Sequence, residues 1–396
     1  MSSSLSGRDA VIVDVVRTPS GRGKPGGLLS AIHPVDLLAG VLQKLVERNG
    51  LDPAQIDDVM GGCVSQIGEQ SSNVTRQALL AAGFPYTVPA TTIDRQCGSS
   101  QQAATFAAQA VQSGAADIVI ACGVESMSRV PLGSSAAGAD VFGPLLRERF
   151  PDGLVNQGIS AELIAARWGL TREALDAFAA DSHRKAAAAA ASGAFDRELV
   201  TVAGVDSLVD ETVRASTTAE ALAGLNPSFF SEHMAQRFAE IEWRITPGNS
   251  SPLTDAASAS LIMSAERAEQ LGFTPRARFH SSAVIGSDPL LMLTGVVEAT
   301  EKVLARAGLT IDEIDAFEVN EAFASVPLLW LAETGADPAK LNPHGGAIAL
   351  GHALGSSGTR LLATLVNHLE ASGGRLGLQV MCEGGGMANA TIIERM

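Results

Sequence analysis

Basic residues and long apolar runs are scarce in this sequence, and each shortage excludes a class of protein. Lys and Arg together number 28 against 43 for Asp and Glu, which gives a formal net charge of −15. We therefore expect no general affinity for nucleic acid or anionic membranes. No uncharged apolar run is long enough to span a bilayer. Residues 1–9 also lack the apolar segment of a signal peptide, which predicts a cytoplasmic protein.

Cysteine is also scarce, and its four occurrences include no CxxC pair. This spacing argues against a disulfide framework and a zinc site, so we predict no metal. The whole sequence is 46% hydrophobic and 18% charged, which is typical of a soluble globular protein without a disordered tail. A chain of 396 residues is too long for a single hydrophobic core of ordinary size, so we predict two or three packed units.

Strand-like and helix-like stretches alternate in the first part of the chain. Strands are predicted over residues 10–16, 59–64 and 117–123, and helices over 35–50 and 73–83. This alternation predicts an α/β fold with a mainly parallel sheet that is covered on both faces.

An internal repeat indicates that the α/β unit occurs twice. Residues 50–59 resemble residues 308–317, and Gly-Ser-Ser occurs at both 98–100 and 355–357. The strand that ends in Cys122 corresponds to the strand that contains Cys382. We therefore assign residues 1–126 and 254–277 to an N-terminal half and residues 278–396 to a C-terminal half.

Residues 127–253 have no counterpart in the second copy and form a predicted insertion. Helices are expected over 160–168 and 171–192, with Thr171 as N-cap and Gly193 as the stop. An insertion of this size either covers the sheet or determines specificity, and we favour specificity for CoA and the acyl group.

The chain is organised around Cys97, in the run Asp-Arg-Gln-Cys-Gly-Ser-Ser-Gln-Gln at 94–102. A β-rich segment at 88–93 precedes this run and an alanine-rich helix follows it, so Cys97 is expected in or just before the first helical turn. Free amides and the positive end of the helix dipole favour a thiolate there. Taken alone, the stretch fits a buried structural cysteine equally well.

Three further stretches lie where a predicted strand ends or a helix begins, which is where open parallel sheets place their sites. They are Asn-Glu-Ala-Phe-Ala at 320–324, Asn-Pro-His-Gly-Gly-Ala-Ile-Ala-Leu-Gly-His at 342–352 and Cys-Glu-Gly-Gly-Gly at 382–386. With the Cys97 turn, their order and spacing resemble the thiolase family over nearly the whole chain. The resemblance implies acyl transfer between CoA thioesters by a homotetramer that is a dimer of dimers. It also implies a five-layered α-β-α-β-α fold of two duplicated α/β halves with an inserted loop domain.

The resemblance implies a catalytic role for each of five residues. Cys97 is the nucleophile that carries the acyl group, and His352 accepts its proton and faces the thioester oxygen. Cys382 exchanges a proton with the acetyl-CoA enolate, and Asn320 holds a water beside His352. Gly384 pairs its amide with that of Cys97 around the tetrahedral oxyanion. Without the resemblance, His352, Cys382 and Asn320 each also fit a structural position.

The substrate-binding residues follow from the same resemblance. Gly-Asn-Ser-Ser at 248–251 is similar to the family's Gly-Asn-Ala-Ser turn and places Asn249 and Ser251 by the pantetheine of CoA. Arg214 aligns with an arginine near the adenine, although a surface position is an equal alternative. Ala322 and Phe323 are predicted to line the pantetheine slot, with a core position equally open for Phe323. CoA enters as a co-substrate, and no permanently bound cofactor is expected.

The chain departs from the common thiolase pattern at several positions. Asn-Gln at 156–157 replaces a frequent His-Met, His344 replaces an asparagine, and Ala353 replaces a proline. An extra segment at 231–244 precedes the 248–251 turn. Its apolar side chains are predicted to wall the acyl pocket and so to influence acyl preference.

The leading hypothesis is thiolytic cleavage of a 3-oxoacyl-CoA by CoA, in fatty-acid or steroid side-chain degradation. The runner-up is a biosynthetic acetoacetyl-CoA thiolase that uses the same residues for condensation. A β-ketoacyl synthase is more distant, because its second histidine is absent where Cys382 stands. A non-catalytic acyl-CoA or lipid binder on this scaffold would typically lack the nucleophile, whereas Cys97 is present.

Overall fold

The computed structural model describes residues 5–396. Residues 1–4, part of the segment inspected for a signal peptide, lie outside the described residues. The strands are β1 (Ala10–Arg17), β2 (Gly21–Arg22), β3 (Asp58–Gly62), β4 (Ala90–Ile93), β5 (Ile118–Ser126), β6 (Thr254–Ser264), β7 (Ala277–Gly286), β8 (Ala316–Val319), β9 (Leu376–Glu383) and β10 (Met387–Arg395).

The helices of the two halves are α1 (Pro34–Asn49), α2 (Val74–Ala81), α3 (Ser99–Ser113), α9 (Ala265–Leu271), α10 (Gly295–Ala307), α11 (Ser325–Thr334), α12 (Ala347–Leu350) and α13 (Ser357–Ser372). Those of the insertion are α4 (Gly143–Arg149), α5 (Gln157–Arg167), α6 (Arg172–Ala191), α7 (Ala219–Ala223) and α8 (Glu232–Arg237). Within residues 5–396, no helix combines the length and the apolar character needed to cross a bilayer.

The strands form one mixed sheet in the order β4-β3-β5-β6-β1-β7-β10-β9-β8, with β2 paired to β6. Among the strands within residues 5–396, only β3–β4, β3–β5 and β8–β9 are parallel pairs. The other pairs are antiparallel, so the expectation of a mainly parallel sheet is wrong. The physical reason is that β9 turns back directly into β10 through three residues, and β6 returns beside β5 after the insertion.

The duplication is visible in the order of the elements. The succession β1-α1-β3-α3-β5-β6 recurs as β7-α10-β8-α13-β9-β10. β3 and β8 begin at 58 and 316, α3 and α13 at 99 and 357, and β5 and β9 at 118 and 376, so each pair lies 258 residues apart. At this offset the counterpart of Cys382 is Val124, not Cys122, although the strands correspond as predicted.

The two half-sheets meet where β1 pairs briefly with β7, through Val11–Arg278 and Ile12–Ala277. Between them lie α3 and α13, which pack against each other, and α13 contacts strands of both halves. Helix α1 covers the outer face of one half and α10 that of the other. The succession helix, sheet, helix, sheet, helix gives the five layers that the sequence resemblance implies.

Strand β1 shows how the sequence builds these layers. Val11 and Val13 belong to the outer core with Leu38 of α1, whereas Ala10 and Ile12 belong to the inner core with the alanines of α3. Successive side chains of a strand point to opposite faces, so an all-apolar strand can be buried on both sides. The small side chains of α3 allow a second helix to share the inner layer.

Candidate active site

Cys97 lies in a tight turn just before α3, as the sequence predicts. Gln96 adopts a left-handed conformation with φ 49°, which is uncommon outside glycine. The side chain of Ser99 stabilises the turn, since its Oγ accepts from the Arg95 N–H at 2.9 Å and donates to the Gln96 carbonyl at 2.6 Å. Backbone strain at this turn therefore positions the sulfur of Cys97.

The Cys97 thiol is protonated in the resting protein. Burial, followed by the charge of Glu383, raises the pKa of Cys97 to about 12. Hydrogen bonding from the Gln157 side chain and the Gly384 amide lowers the pKa of Cys97, but by less than burial and Glu383 raise it. The helix N-terminus alone therefore does not yield a thiolate, and the nucleophile needs a base.

His352 can serve as that base because its tautomer is set by its neighbour. Burial, and then the charge of Arg360, lowers the pKa of His352 to about 3, so the ring is neutral. Its Nδ1 lies 2.7 Å from Ser357 Oγ, and that hydroxyl donates to the Ala353 carbonyl at 2.8 Å. Because the Ser357 hydroxyl proton is donated to that carbonyl, Ser357 Oγ can only accept a hydrogen bond from Nδ1–H of His352. The other ring nitrogen, Nε2, therefore has no proton and can take one.

Ser357→Ala is expected to lower kcat roughly tenfold to a hundredfold with little change in KM, because the imidazole loses the partner that fixes its tautomer. Steady-state kinetics with a 3-oxoacyl-CoA measure this effect. Ser357→Thr keeps a hydroxyl and should retain most of the rate. Equal kcat in Ser357→Ala and the wild type would contradict the assignment.

The loop that carries His352 is held by buried side chains from distant segments. The His352 N–H donates to Thr254 Oγ1 at 3.0 Å. Glu321 accepts from the Ile348 N–H at 3.1 Å and from Asn342 Nδ2 at 2.8 Å. These bonds use the glutamate of the Asn-Glu-Ala-Phe motif as a support for the loop rather than as a reacting group.

A second buried carboxylate, Glu125 at the end of β5, holds the start of α13. It accepts from the Gly355 N–H at 2.9 Å, from the Val64 N–H at 2.9 Å and from the Ser65 N–H at 3.0 Å. Gly355 approaches so closely that a Cβ there would lie 2.4 Å from the Val124 carbonyl oxygen. Only glycine therefore allows this turn to sit on the end of β5.

Strand register brings Asn320 to Cys382. Asn320 follows β8, and its N–H donates to the Val380 carbonyl of β9 at 3.0 Å. Its Nδ2 lies 3.4 Å from His352 Nε2, and its side chain is also within hydrogen-bonding reach of the Cys382 sulfur. Burial, then the charges of Cys97 and Glu383, raises the pKa of Cys382 well above its usual value, so this thiol is a proton donor.

Gly384 opens the three-residue turn between β9 and β10, where Gly385 and Gly386 have φ of 83° and 81°. The Gly384 amide reaches the Cys97 sulfur. The structure thus brings together all five predicted catalytic residues, Cys97, Asn320, His352, Cys382 and Gly384. A chain of contacts joins them, because Asn320 reaches both His352 and Cys382, and Cys97 interacts with Cys382 and with the Gly384 amide.

Cys97 opens into a mostly apolar cavity of about 670 Å³. Its wall includes Phe229, Met292, Phe323 and Leu354. Among the described residues, those at 231–244 do not line this cavity, so the prediction that they wall the pocket is wrong. Met234, Phe238 and Trp243 pack on the core instead, and Phe229, just ahead of the segment, forms the wall.

Of the five predicted substrate-binding residues, two line pockets, and these two lie in different ones. Arg214 lines a second pocket together with Arg22, His183 and Ser250, where positive charge could meet an anionic ligand. Neither Arg22 nor His183 carried a sequence signal, because distant segments deliver them. Phe323 lines the cavity of Cys97.

Asn249 has a structural position rather than the predicted one beside a ligand. It is fully buried, and its side chain bonds the Thr246 N–H at 2.9 Å and Asp176 Oδ1 at 2.9 Å. Ser251 donates its N–H to the carbonyl of Ala322, itself buried, at 3.0 Å. The turn at 248–251 therefore anchors the segment that carries Ala322 and Phe323, and its Ser250 lines the second pocket. The place of Ser251 beside the pantetheine stays a prediction.

Glu383 is a functional neighbour that sequence reasoning missed, although it stands beside Cys382. Its carboxylate lies against the Cys97 turn, since a Cβ on Gly98 would meet Oε1 at 1.9 Å. Neither carboxylate oxygen has a hydrogen-bond partner among residues 5–396. Burial raises the pKa of Glu383 to about 8, with Arg95 acting against the rise.

Glu383→Gln is expected to stabilise the protein increasingly as pH rises. The pKa of Glu383 is higher in the folded chain, about 8 against 4.5, so the free energy of unfolding falls as pH rises between these values. Glutamine stays neutral, so by pH 8 the free energy of unfolding of the variant should exceed that of the wild type by on the order of a few kcal/mol. Denaturant titrations of both proteins at pH 5, 7 and 8.5 measure the gain. A difference independent of pH would contradict this account.

The duplicated fold and a site of two facing thiols define the class of protein. Residues 10–266 match the family model described as thiolase, N-terminal domain, and residues 273–395 match that of the thiolase C-terminal domain. The chain belongs to the thiolase family, which confirms the resemblance stated from its motifs.

Relatives with established names match along nearly the full length. The chain is 45% identical to the steroid 3-ketoacyl-CoA thiolase FadA6 of Mycobacterium tuberculosis, over 98% of this chain and 94% of that protein. It is 44% identical to the 3-ketoacyl-CoA thiolase of Marinobacter nauticus, over 99% and 100%. The crystal structure of the Bacillus anthracis acetyl-CoA acetyltransferase superposes with a TM-score of 0.86 at 35% identity, covering 98% and 99% of the chains.

Proposed function

We propose that this protein cleaves 3-oxoacyl-CoA with CoA to acetyl-CoA and a shortened acyl-CoA. The observation that carries the proposal is the pair of buried, interacting thiols, Cys97 and Cys382, beside the neutral His352. One thiol can attack and the other can protonate, which is what cleavage of a carbon–carbon bond next to a thioester requires.

In the first half-reaction His352 Nε2 takes the thiol proton of Cys97, and the sulfur bonds to the keto carbon. The amides of Cys97 and Gly384 support the oxyanion that forms. Collapse breaks the bond between the keto carbon and its neighbour, and the acetyl-CoA enolate leaves toward His352 and Asn320. The Cys382 thiol gives its proton to the enolate carbon, so acetyl-CoA departs and acyl-Cys97 remains.

In the second half-reaction CoA gives its thiol proton to the Cys382 thiolate and attacks the acyl carbon. The Cys97–acyl bond breaks, and the departing sulfur recovers the proton from His352. Both residues return to their starting state, so the cycle needs CoA as co-substrate. We propose no permanently bound cofactor and no metal.

The cavity favours 3-oxoacyl-CoA substrates with a larger acyl group over acetoacetyl-CoA alone. Its volume of about 670 Å³ and apolar wall have room for more than an acetyl group. The relatives named 3-ketoacyl-CoA thiolase and steroid 3-ketoacyl-CoA thiolase support fatty-acid or steroid side-chain substrates. The acetyltransferase name of the Bacillus anthracis structure keeps the biosynthetic activity as a second candidate.

A kcat/KM series over 3-oxoacyl-CoA chain lengths, with one polycyclic acyl group, tests the proposal. We expect kcat/KM to exceed that for acetoacetyl-CoA when the acyl group is long or polycyclic. A maximum at acetoacetyl-CoA would favour the biosynthetic alternative. Intact mass after mixing with substrate should show an acyl adduct, and its absence together with no turnover would leave a non-catalytic binder.

We further propose that the protein is a cytoplasmic homotetramer, a dimer of dimers. Strand β4 supports association, because it ends the sheet and pairs only with β3 in the described chain. Phe142 and Leu145 of the insertion are exposed apolar side chains that a neighbour could cover. Sedimentation velocity at micromolar concentration measures the assembly, and a monomer would refute this proposal.

A further inference from the structure

Gln157 is a polar side chain on an otherwise largely apolar wall, directly beside the reactive sulfur. It is the first residue of α5 and lines the cavity with Cys97 and Gly384. The Asn156 side chain caps this helix by accepting from the Ile159 N–H at 3.1 Å. The helix behind it is buried in the core of the C-terminal half, so the start of α5 is a rigid platform for the side chain.

Two separate contacts define where the Gln157 carboxamide lies. It lines the cavity together with Cys97 and is near enough to that thiol to lower its pKa. A Cβ built on Gly384 would lie 3.0 Å from Gln157 Nε2 and 3.2 Å from Gln96 Oε1. The amide nitrogen therefore lies against Gly384, whose own amide also reaches the Cys97 sulfur.

A carboxamide suits this position chemically. Nε2 has two N–H donors and no charge, so it can stabilise an anionic sulfur without forming an ion pair. The opposing influence is Glu383, whose charge disfavours a thiolate at Cys97 once its carboxyl group is ionised. A thiol buried this deeply gains most from donors that are already in place.

We propose that Gln157 is a further catalytic residue, which donates an Nε2 hydrogen bond to the Cys97 sulfur as it becomes a thiolate. The Cys97 proton passes to His352 Nε2, and the negative charge left on the sulfur is shared among Gln157 and the backbone amides of Cys97 and Gly384. When the sulfur bonds to the keto carbon, its charge moves to the new oxyanion. The proposal deepens the thiolase function and rests on it.

Two substitutions of matched size separate this role from cavity shape. Gln157→Met removes the donor at similar length, and methionine is frequent at this position in thiolases, so the variant should fold. Gln157→Glu has the same shape, repels a thiolate when ionised and can donate only when protonated. Phe142→Ala changes the same cavity wall without removing a group that bonds to the sulfur, and it serves as control.

The readout is the rate of Cys97 alkylation by iodoacetamide against pH, followed by intact mass, which needs no substrate. We expect Gln157→Met to slow alkylation about tenfold at each pH between 7 and 9, because loss of the donor lowers the thiolate fraction by about that factor. Gln157→Glu should be slower than Gln157→Met at pH 8 and faster at pH 5.5. Phe142→Ala should keep the wild-type profile.

An alkylation profile of Gln157→Met that coincides with the wild type would overturn the proposal, even if turnover falls. A shift of equal size in Phe142→Ala would also overturn it, because the effect would then belong to the cavity as a whole. The thiolase function is tested separately, by turnover of the wild type. Its failure would leave the alkylation result unchanged.

Discussion

Cys97→Ala is expected to abolish the acyl-enzyme and to lower turnover by at least about 10⁴-fold. The sulfur forms the covalent bond in both half-reactions, and alanine offers no atom that could replace it. CoA affinity should change little, because the second pocket, with Arg214 and His183, does not include Cys97. Intact mass after mixing with 3-oxoacyl-CoA, steady-state kinetics and calorimetry of CoA binding measure the three effects.

Cys122→Ala is the matched control for this experiment. Cys122 is buried on β5 in the outer core and is separate from the cavity of Cys97. Its loss removes a thiol without touching a reacting atom. Retained turnover in Cys97→Ala, or loss of the acyl adduct in Cys122→Ala, would show that the nucleophile has been misassigned.

Cys382→Ala is expected to separate the two half-reactions. Acyl transfer from a simple thioester to Cys97 needs no carbon acid, so the adduct should still form. Cleavage of the carbon–carbon bond should fall by about 10²- to 10⁴-fold, because the enolate loses its proton donor. Mass spectrometry measures the adduct, and release of acetyl-CoA from 3-oxoacyl-CoA measures cleavage. Normal cleavage would assign the proton to another group.

The catalytic residues could be located from the sequence because each lies in a short motif at the end of a strand or the start of a helix. Cys97 and Cys382 are nearly three hundred positions apart, yet the duplication indicated that their elements share one architecture. The structure then brings the two side chains close enough to interact electrostatically. The proximity of Cys97 and Cys382 was predictable because each cysteine lies in a short contiguous motif.

Roles that depend on three-dimensional neighbours were not predictable. Nothing in the sequence shows that Ser357 sets the tautomer of His352 or that Glu383 lies against Gly98. Asn249 looked like a ligand residue because its motif is a turn, and only its buried partners show that it holds that turn. The relative direction of neighbouring strands was not predictable either. When both faces of a strand are buried, its pattern of apolar residues is the same beside a parallel and an antiparallel neighbour.

Glu125 and Glu383 occupy the same position in the two copies, 258 residues apart. Glu125 bonds the Gly355 turn that opens α13, and Glu383 lies against the Gly98 turn that opens α3. The first copy thus holds the turn of the second through the Glu125 hydrogen bond, whereas Glu383 packs against the turn of the first without bonding to it. A fragment carrying one copy alone would lack these contacts, so catalytic competence should emerge only by complementation, once both fragments have docked.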